Sequence, residues 1–228
     1  MARPAAVMGE LQTERTTVRR KAFRGAYDFT TIAAILDDAY VCHVGFVAQG
    51  QPYVIPTGFG RKGRNIYLHG LSVNHMLDNL SEGIPLCFTV SLIDGLVFAR
   101  SGFNHSINYR SVVVLGNATL VEGDEKLDAL HTIVEHIMPG RWKDVRPPSA
   151  TELKATSVLR LEINEASAKI RKGPPIDDEE DFAIPCWAGV LPLHTALGQP
   201  ITEERVRSGT EIPGYVLNYR RPAPAKCD

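Results

Sequence analysis

YVCHVGFVAQGQPYVIPTGFGRKGRNIYLHG, residues 40–70, alternates short apolar runs with turn chemistry. Tyr40 to Ala48 is the first run, broken by Gln49-Gly50; Pro52 to Arg61 is the second, broken by Lys62-Gly63-Arg64; Asn65 to His69 is the third. β-Branched and aromatic residues bounded by glycine and polar pairs at hairpin spacing predict strands, and three in immediate succession predict an antiparallel meander.

Working outward, Tyr27 to Ala39 offers Asp28 as a cap and Ile32, Ile35 and Leu36 at helical spacing, which predicts a short helix. Residues 1–26 have no periodicity and read as an extended arm. Ser72 to Ser81 sets Met76, Leu77 and Leu80 on one side, with Ser72 or Asn74 available as a cap. Strands are expected over Ile84 to Leu92 and Leu96 to Ser101, joined by an Ile93-Asp94-Gly95 turn, and over Tyr109 to Val121. Asp124 to Met138 carries a helical stripe ended by Pro139-Gly140, a short helix is expected near Ser149 to Thr156, and Val158 to Ile163 reads as the final strand. About seven strands without β-α-β alternation predict a mainly β (α+β) domain, an antiparallel barrel with a few short helices. It spans residues 27–193, and 194–228 form a tail. The acidic run Asp177 to Asp181 reads as a solvated loop, and the apolar Phe182 to Leu193 around Trp187 as a segment docked on a surface, a neighbouring subunit's among the candidates.

A formal net charge of -1 over 228 residues creates no field favouring nucleic acid or a membrane surface. No apolar run suits a signal peptide or a membrane span, so the cytoplasm is the expected location. Cys42, Cys87, Cys186 and Cys227 are scattered, as reduced thiols are, and Cys42 and Cys87 read as small core residues. The seven histidines form no compact ligand motif, so no metal site is expected, and nucleophile-elbow, Walker and dinucleotide fingerprints are missing.

Two stretches can carry chemistry. In Ile66 to His75 a strand delivers the chain to Gly70 and a short helix follows, whose first amides suit an anion, with Asn74 and His75 as further donors. Many such junctions bind nothing. In Ala99 to Ser111 polar groups crowd between apolar strands, and Arg110 can either salt-bridge a neighbour or clamp a phosphate.

Four pieces in order, Tyr53-Val54-Ile55-Pro56-Thr57, Tyr67-Leu68-His69-Gly70, His105 to Val113 and Ile184 to Pro192, resemble the pyridoxamine 5'-phosphate oxidase-like flavoproteins. The branch they resemble contains nitroimidazole-resistance and flavin-nucleotide-binding proteins. The resemblance implies a split barrel that pairs as a homodimer, with FMN, ahead of FAD or haem, in clefts at the subunit interface. Ile55, Pro56 and Thr57 would then run along the isoalloxazine, and Leu68 and His69 would border the ring or ribityl chain. Gly70, Asn74 and His75 would face the phosphate, Tyr109, Arg110 and Ser111 would approach from a neighbouring strand, and Trp187 would close over the site. Where the family has Ser-Arg at the helix start, this chain has Asn74-His75, so a fixed cation is missing. The implied activity is an FMN-dependent oxidoreductase acting on a small organic molecule, with no residue declaring itself as acid, base or nucleophile. A flavin or haem carrier, or a dimeric module without cofactor, are the alternatives.

Overall fold

The computed structural model describes residues 9–220. Residues 1–8 of the arm and Cys227 lie outside the described residues. The elements run β1 (Gly25–Ala26), α1 (Phe29–Asp38), β2 (Val41–Ala48), β3 (Gln51–Gly58), β4 (Gly60–Lys62), β5 (Asn65–Leu71), α2 (His75–Ser81), β6 (Pro85–Phe98), β7 (Ser106–Asn117), β8 (Thr119–Leu120), α3 (Gly123–Ile137), α4 (Ala150–Ala155), β9 (Thr156–Glu162), β10 (Ala166–Arg171), β11 (Gly189–Pro192) and α5 (Gly214–Leu217).

The strands form two antiparallel sheets, giving the α+β class. One has the order β1-β10-β7-β6-β2-β3, with β11 added beside β6; the other has the order β4-β5-β9-β8. β2 shows how the pattern works, since Cys42, Val44, Phe46 and Ala48 face inward while Val41, His43, Gly45 and Val47 face out. Its hairpin to β3 turns on Gln49 at φ 51° and Gly50 at φ 76°, two positive values in a row, which suit the twist of the flanking strands. Between the sheets Phe59, Phe88, Leu68, Leu159, Leu161 and Ile163 are fully buried, and α1 closes one end with Ile32, Ile35 and Leu36. The Asp28 carboxylate caps α1 by accepting from the Thr31 amide at 2.8 Å. A smaller cluster, Tyr67, Val121, Ala129, Ile133 and Val158, lies between the second sheet and α3.

Several expectations change. Ile93-Asp94-Gly95 makes no turn: β6 runs straight through it with a register irregularity between Ile93 and Gly95, and the chain reverses over residues 99–105. β10 is a strand the pattern did not announce, paired with both β7 and β1. The described part of the arm is docked, with Leu11 and Thr16 buried and the Ala166 amide donating to the Leu11 carbonyl at 2.9 Å. Asp177 is also no solvated loop residue, because its buried carboxylate accepts from the Arg100 amide at 2.9 Å and pairs with the Arg100 guanidinium at 2.8 Å. Cys42 is buried, whereas Cys87 is only half-buried. Among the described residues no helix is long and apolar enough to cross a membrane.

Candidate functional site

β5 distributes its side chains to two faces. Leu68 is fully buried in the main core, so only its backbone is available to a ligand. Gly70 lies close to α2: a Cβ there would sit 2.9 Å from Leu77 Cδ1, so the leucine side chain would have to shift to admit one. The Asn74 carboxamide oxygen accepts from the Met76 amide at 3.0 Å and the Leu77 amide at 3.3 Å, so it caps α2 and takes up amides that the sequence offers to an anion. His75 is exposed, its ring edge-on to Tyr53 at 5.2 Å, while Tyr53 stacks on Phe46 at 5.4 Å. This aromatic step ties the start of α2 to β2 and β3. On β3, Ile55 packs partly into the core, Pro56 is exposed, and the Thr57 carbonyl accepts from the Cys42 thiol at 3.4 Å. Leu71 and Val73 are strongly exposed beside the junction.

His69 points the other way, toward α3. It lines an open pocket of about 420 Å³ with Leu130, Ile133, Val134, Trp142 and Pro148 as apolar walls and Arg146 and Glu152 alongside. The ring has no hydrogen-bond partner among the described residues; the residue is exposed at this open pocket, and partial desolvation against the pocket walls shifts its pKa below the ordinary histidine value. This desolvation favours the neutral form of the imidazole, whose lone pair can coordinate. Arg146 and Glu152 form a two-point pair at 2.7 and 2.6 Å. That pair, followed by the Ser149 amide, pulls the Glu152 carboxyl down to about 2.

Arg110 resolves to the ion-pair alternative. Its guanidinium meets Asp94 and Asp38, each at 2.8 Å, so the irregularity of β6 is fastened to the end of α1. Those hydrogen bonds, Asp94 first, raise its pKa further. Neighbouring Tyr109 is half-buried, and the Ser111 hydroxyl donates to the Lys169 carbonyl at 3.4 Å. Trp187 is 68% exposed, with its ring 5.6 Å from Phe98. The residues suggested by sequence thus fall on separate surfaces of the chain: the β3, β5 and α2 junction, the α3 pocket at His69, the β7 strand at Arg110, and the outlying Trp187. No local pattern marks Arg171, Arg24 or Lys172, which line a cavity of about 690 Å³ under α1.

No curated protein matches the chain. Among solved structures, the flavocytochrome Anf3 from Azotobacter vinelandii is 40% identical, with a TM-score of 0.88 over 95% of this chain and 100% of that one. The FAD and haem binding protein from Mycobacterium smegmatis is 35% identical, with a TM-score of 0.83 over 86% of this chain and 96% of that one. A 5-nitroimidazole antibiotic resistance protein from Bacteroides thetaiotaomicron is 26% identical, with a TM-score of 0.55 over 64% and 86%. Residues 28–170, more than half of the sequence, match the model of one family. The chain belongs to the pyridoxamine 5'-phosphate oxidase family.

Proposed function

We propose that this protein is a redox protein that binds a flavin and a haem. The observation that carries the haem half is His69, an imidazole without a hydrogen-bond partner among the described residues, set beside the apolar walls of a pocket. A haem held there would take a nitrogen ligand from His69 and lie against the apolar Leu130, Ile133, Val134 and Trp142, with the Arg146–Glu152 pair alongside. The names of two relatives above 30% identity, a flavocytochrome and an FAD and haem binding protein, support the same pairing. Resemblance alone favours FMN, but the relative named for its flavin binds FAD, and we assign FAD first. Bound, the flavin would supply one- or two-electron transfer and the haem one-electron transfer or a position for a small ligand.

For the flavin we keep the cleft along β3, the end of β5 and the start of α2, where Pro56, Leu71 and Val73 present apolar surface. Two sheets around one core are consistent with the split barrel of the family, and a homodimer would complete the cleft. Val41, Val47 and Val54 are 49%, 57% and 64% exposed on the outer face of the β2–β3 pair, an apolar patch that a second copy would cover. Trp187 of that copy would then close over the flavin, which gives its exposed ring a purpose. In this reading Leu68 and Thr57 act through backbone groups, and His75 offers the side-chain donor at the phosphate end.

Absorption spectroscopy of the purified protein tests both halves. A flavin band together with a Soret band is expected, and His69→Ala should remove the Soret band while leaving flavin bound. A Soret band that survives His69→Ala overturns the ligand assignment. A protein that takes up no flavin on incubation overturns the flavin half.

A further inference from the structure

The cavity under α1 is walled on α1 and β10 by Ala34, Ile35 and Ile170, with the exposed Phe23 and Ile176 beside them. Arg171 lines it as well and is only 4% exposed. Nη1 donates to the Asn108 carboxamide oxygen and to the Gly173 carbonyl at 3.3 Å, and Nη2 donates to the Pro174 carbonyl at 3.3 Å. Among the described residues buried Nε has no acceptor and no carboxylate pairs with this guanidinium. A buried cation with an unmet donor is costly unless an anion completes it.

The surroundings sharpen the imbalance. Arg24 and Lys172 line the same cavity. Repulsion, led by Arg24 and including Arg20, Arg171 and Lys169, together with burial, lowers the Lys21 ammonium pKa, so these cations crowd one region. Burial, followed by Arg24, likewise lowers that of Arg171. Among the described residues Asp94 is the one carboxylate lining the cavity, and it is already bound by Arg110. The chain has gathered positive charge around an apolar hollow and left one buried donor open.

We propose that this cavity binds a small organic anion, a carboxylate or phosphate ester on an apolar body, whose anionic end completes Arg171 while the body lies against Ala34, Ile35 and Ile170. The site goes beyond the flavin and haem reading, and it shares no lining residue with the His69 pocket. An anion there would also stabilise the fold by mass action.

Calorimetric titration of the purified protein, with whatever cofactor it carries, tests this using phenyl phosphate, phenylacetate, inorganic phosphate and benzyl alcohol. At least one aromatic anion should bind saturably, with inorganic phosphate and benzyl alcohol weaker by about tenfold or more. Arg171→Met should weaken the aromatic anion by about tenfold or more, since it removes the charge at similar volume. Ala34→Phe should block binding by filling the hollow without touching a charge, and the exposed Arg205→Ala should change nothing. Circular dichroism checks that each variant is folded, and Ala34→Phe keeps the test decisive if Arg171→Met is not. Absence of saturable binding of either aromatic anion, or wild-type binding by Ala34→Phe, overturns the proposal. Inorganic phosphate binding as tightly as phenyl phosphate overturns the apolar half. Release of flavin during the titration overturns the independence of the site. A protein isolated without any cofactor would count against the redox reading and leave this titration intact.

Discussion

Gly60 sits where α3 comes nearest the second sheet. A Cβ on it would lie 2.6 Å from Ile133 Cα and 2.7 Å from Ile133 N, and helix backbone cannot step aside as a side chain can. Gly60→Ala should therefore destabilise the protein by roughly 1–3 kcal/mol or more, seen as a lower midpoint in urea. Gly102→Ala, where nothing lies within 4 Å, is the control and should leave the midpoint in place. Cysteine reactivity is a second consequence at this scale. Burial pushes the Cys42 thiol up to about 12, and thiolate is the reactive form. Iodoacetamide at pH 8 should label exposed Cys186 and spare Cys42 until the chain unfolds, as peptide mass spectrometry would show. Rapid labelling of Cys42 in the folded protein would mean that β2 opens far more readily than its burial implies.

Among the elements, the segment ahead of α1 is held by two carboxylates. Glu165, in the turn before β10, accepts from the Thr13 hydroxyl and pairs with Arg15, whose Nε lies 3.0 Å away. Glu10 accepts from the Phe29 amide at 3.1 Å and pairs with Arg64. The Arg15 contact above all holds Glu165 below its ordinary value, and the Phe29 amide above all does so for Glu10. A carboxyl lowered on folding contributes stability above its unfolded pKa and loses it as pH falls through the folded pKa. Stability to urea should thus fall between about pH 5 and pH 3, and less steeply in Glu165→Gln, with the solvent-exposed partners keeping the effect small. Equal slopes for the two proteins would remove Glu165 from this role.

Elements were legible wherever period and punctuation agreed. The hairpins at Gln49-Gly50 and Lys62-Gly63-Arg64, α1 and α3 could all be read from alternation, caps and terminating glycines, but the expected strand Pro52 to Arg61 divides into β3 in one sheet and β4 in the other, so residues 40–70 form two hairpins and not one meander. Asp94-Gly95 misled because a turn and a strand irregularity call on the same residues; only the long-range pair with Arg110 decides between them. β10 was hidden because Ala166-Ser167-Ala168-Lys169 lacks the branched and aromatic residues that announce a strand. The site was legible only in part. Tyr67-Leu68-His69-Gly70 stood out, but which side of β5 the imidazole of His69 faces depends on α3, far along the chain. Arg171 had no signal, since an arginine ending an unannounced strand looks like any solvated charge.

At the scale of the whole molecule, the valines on the outer face of β2 and β3 make assembly testable. Val54→Lys should place an ammonium in the proposed contact and weaken self-association by about 1.4 kcal/mol or more, about tenfold in dissociation constant, measured by sedimentation. Flavin retention should fall with it, because the cleft would lose its second half. A variant that sediments as wild type would show that the chain pairs through another face, or not at all.

One further consequence follows from β11. The N-terminal half of β6 is bonded to β2 through residues 86–89, and β11 covers residues 95–98. Without that short strand, the far half of β6 would present naked amides and carbonyls at the rim of a sheet, an open template for another chain. The four residues Gly189 to Pro192 serve as a seal against polymerisation, and proline at the end of the seal supplies no donor with which to extend it. A chain cut short at Ala188 should keep its core yet form aggregates that bind thioflavin T.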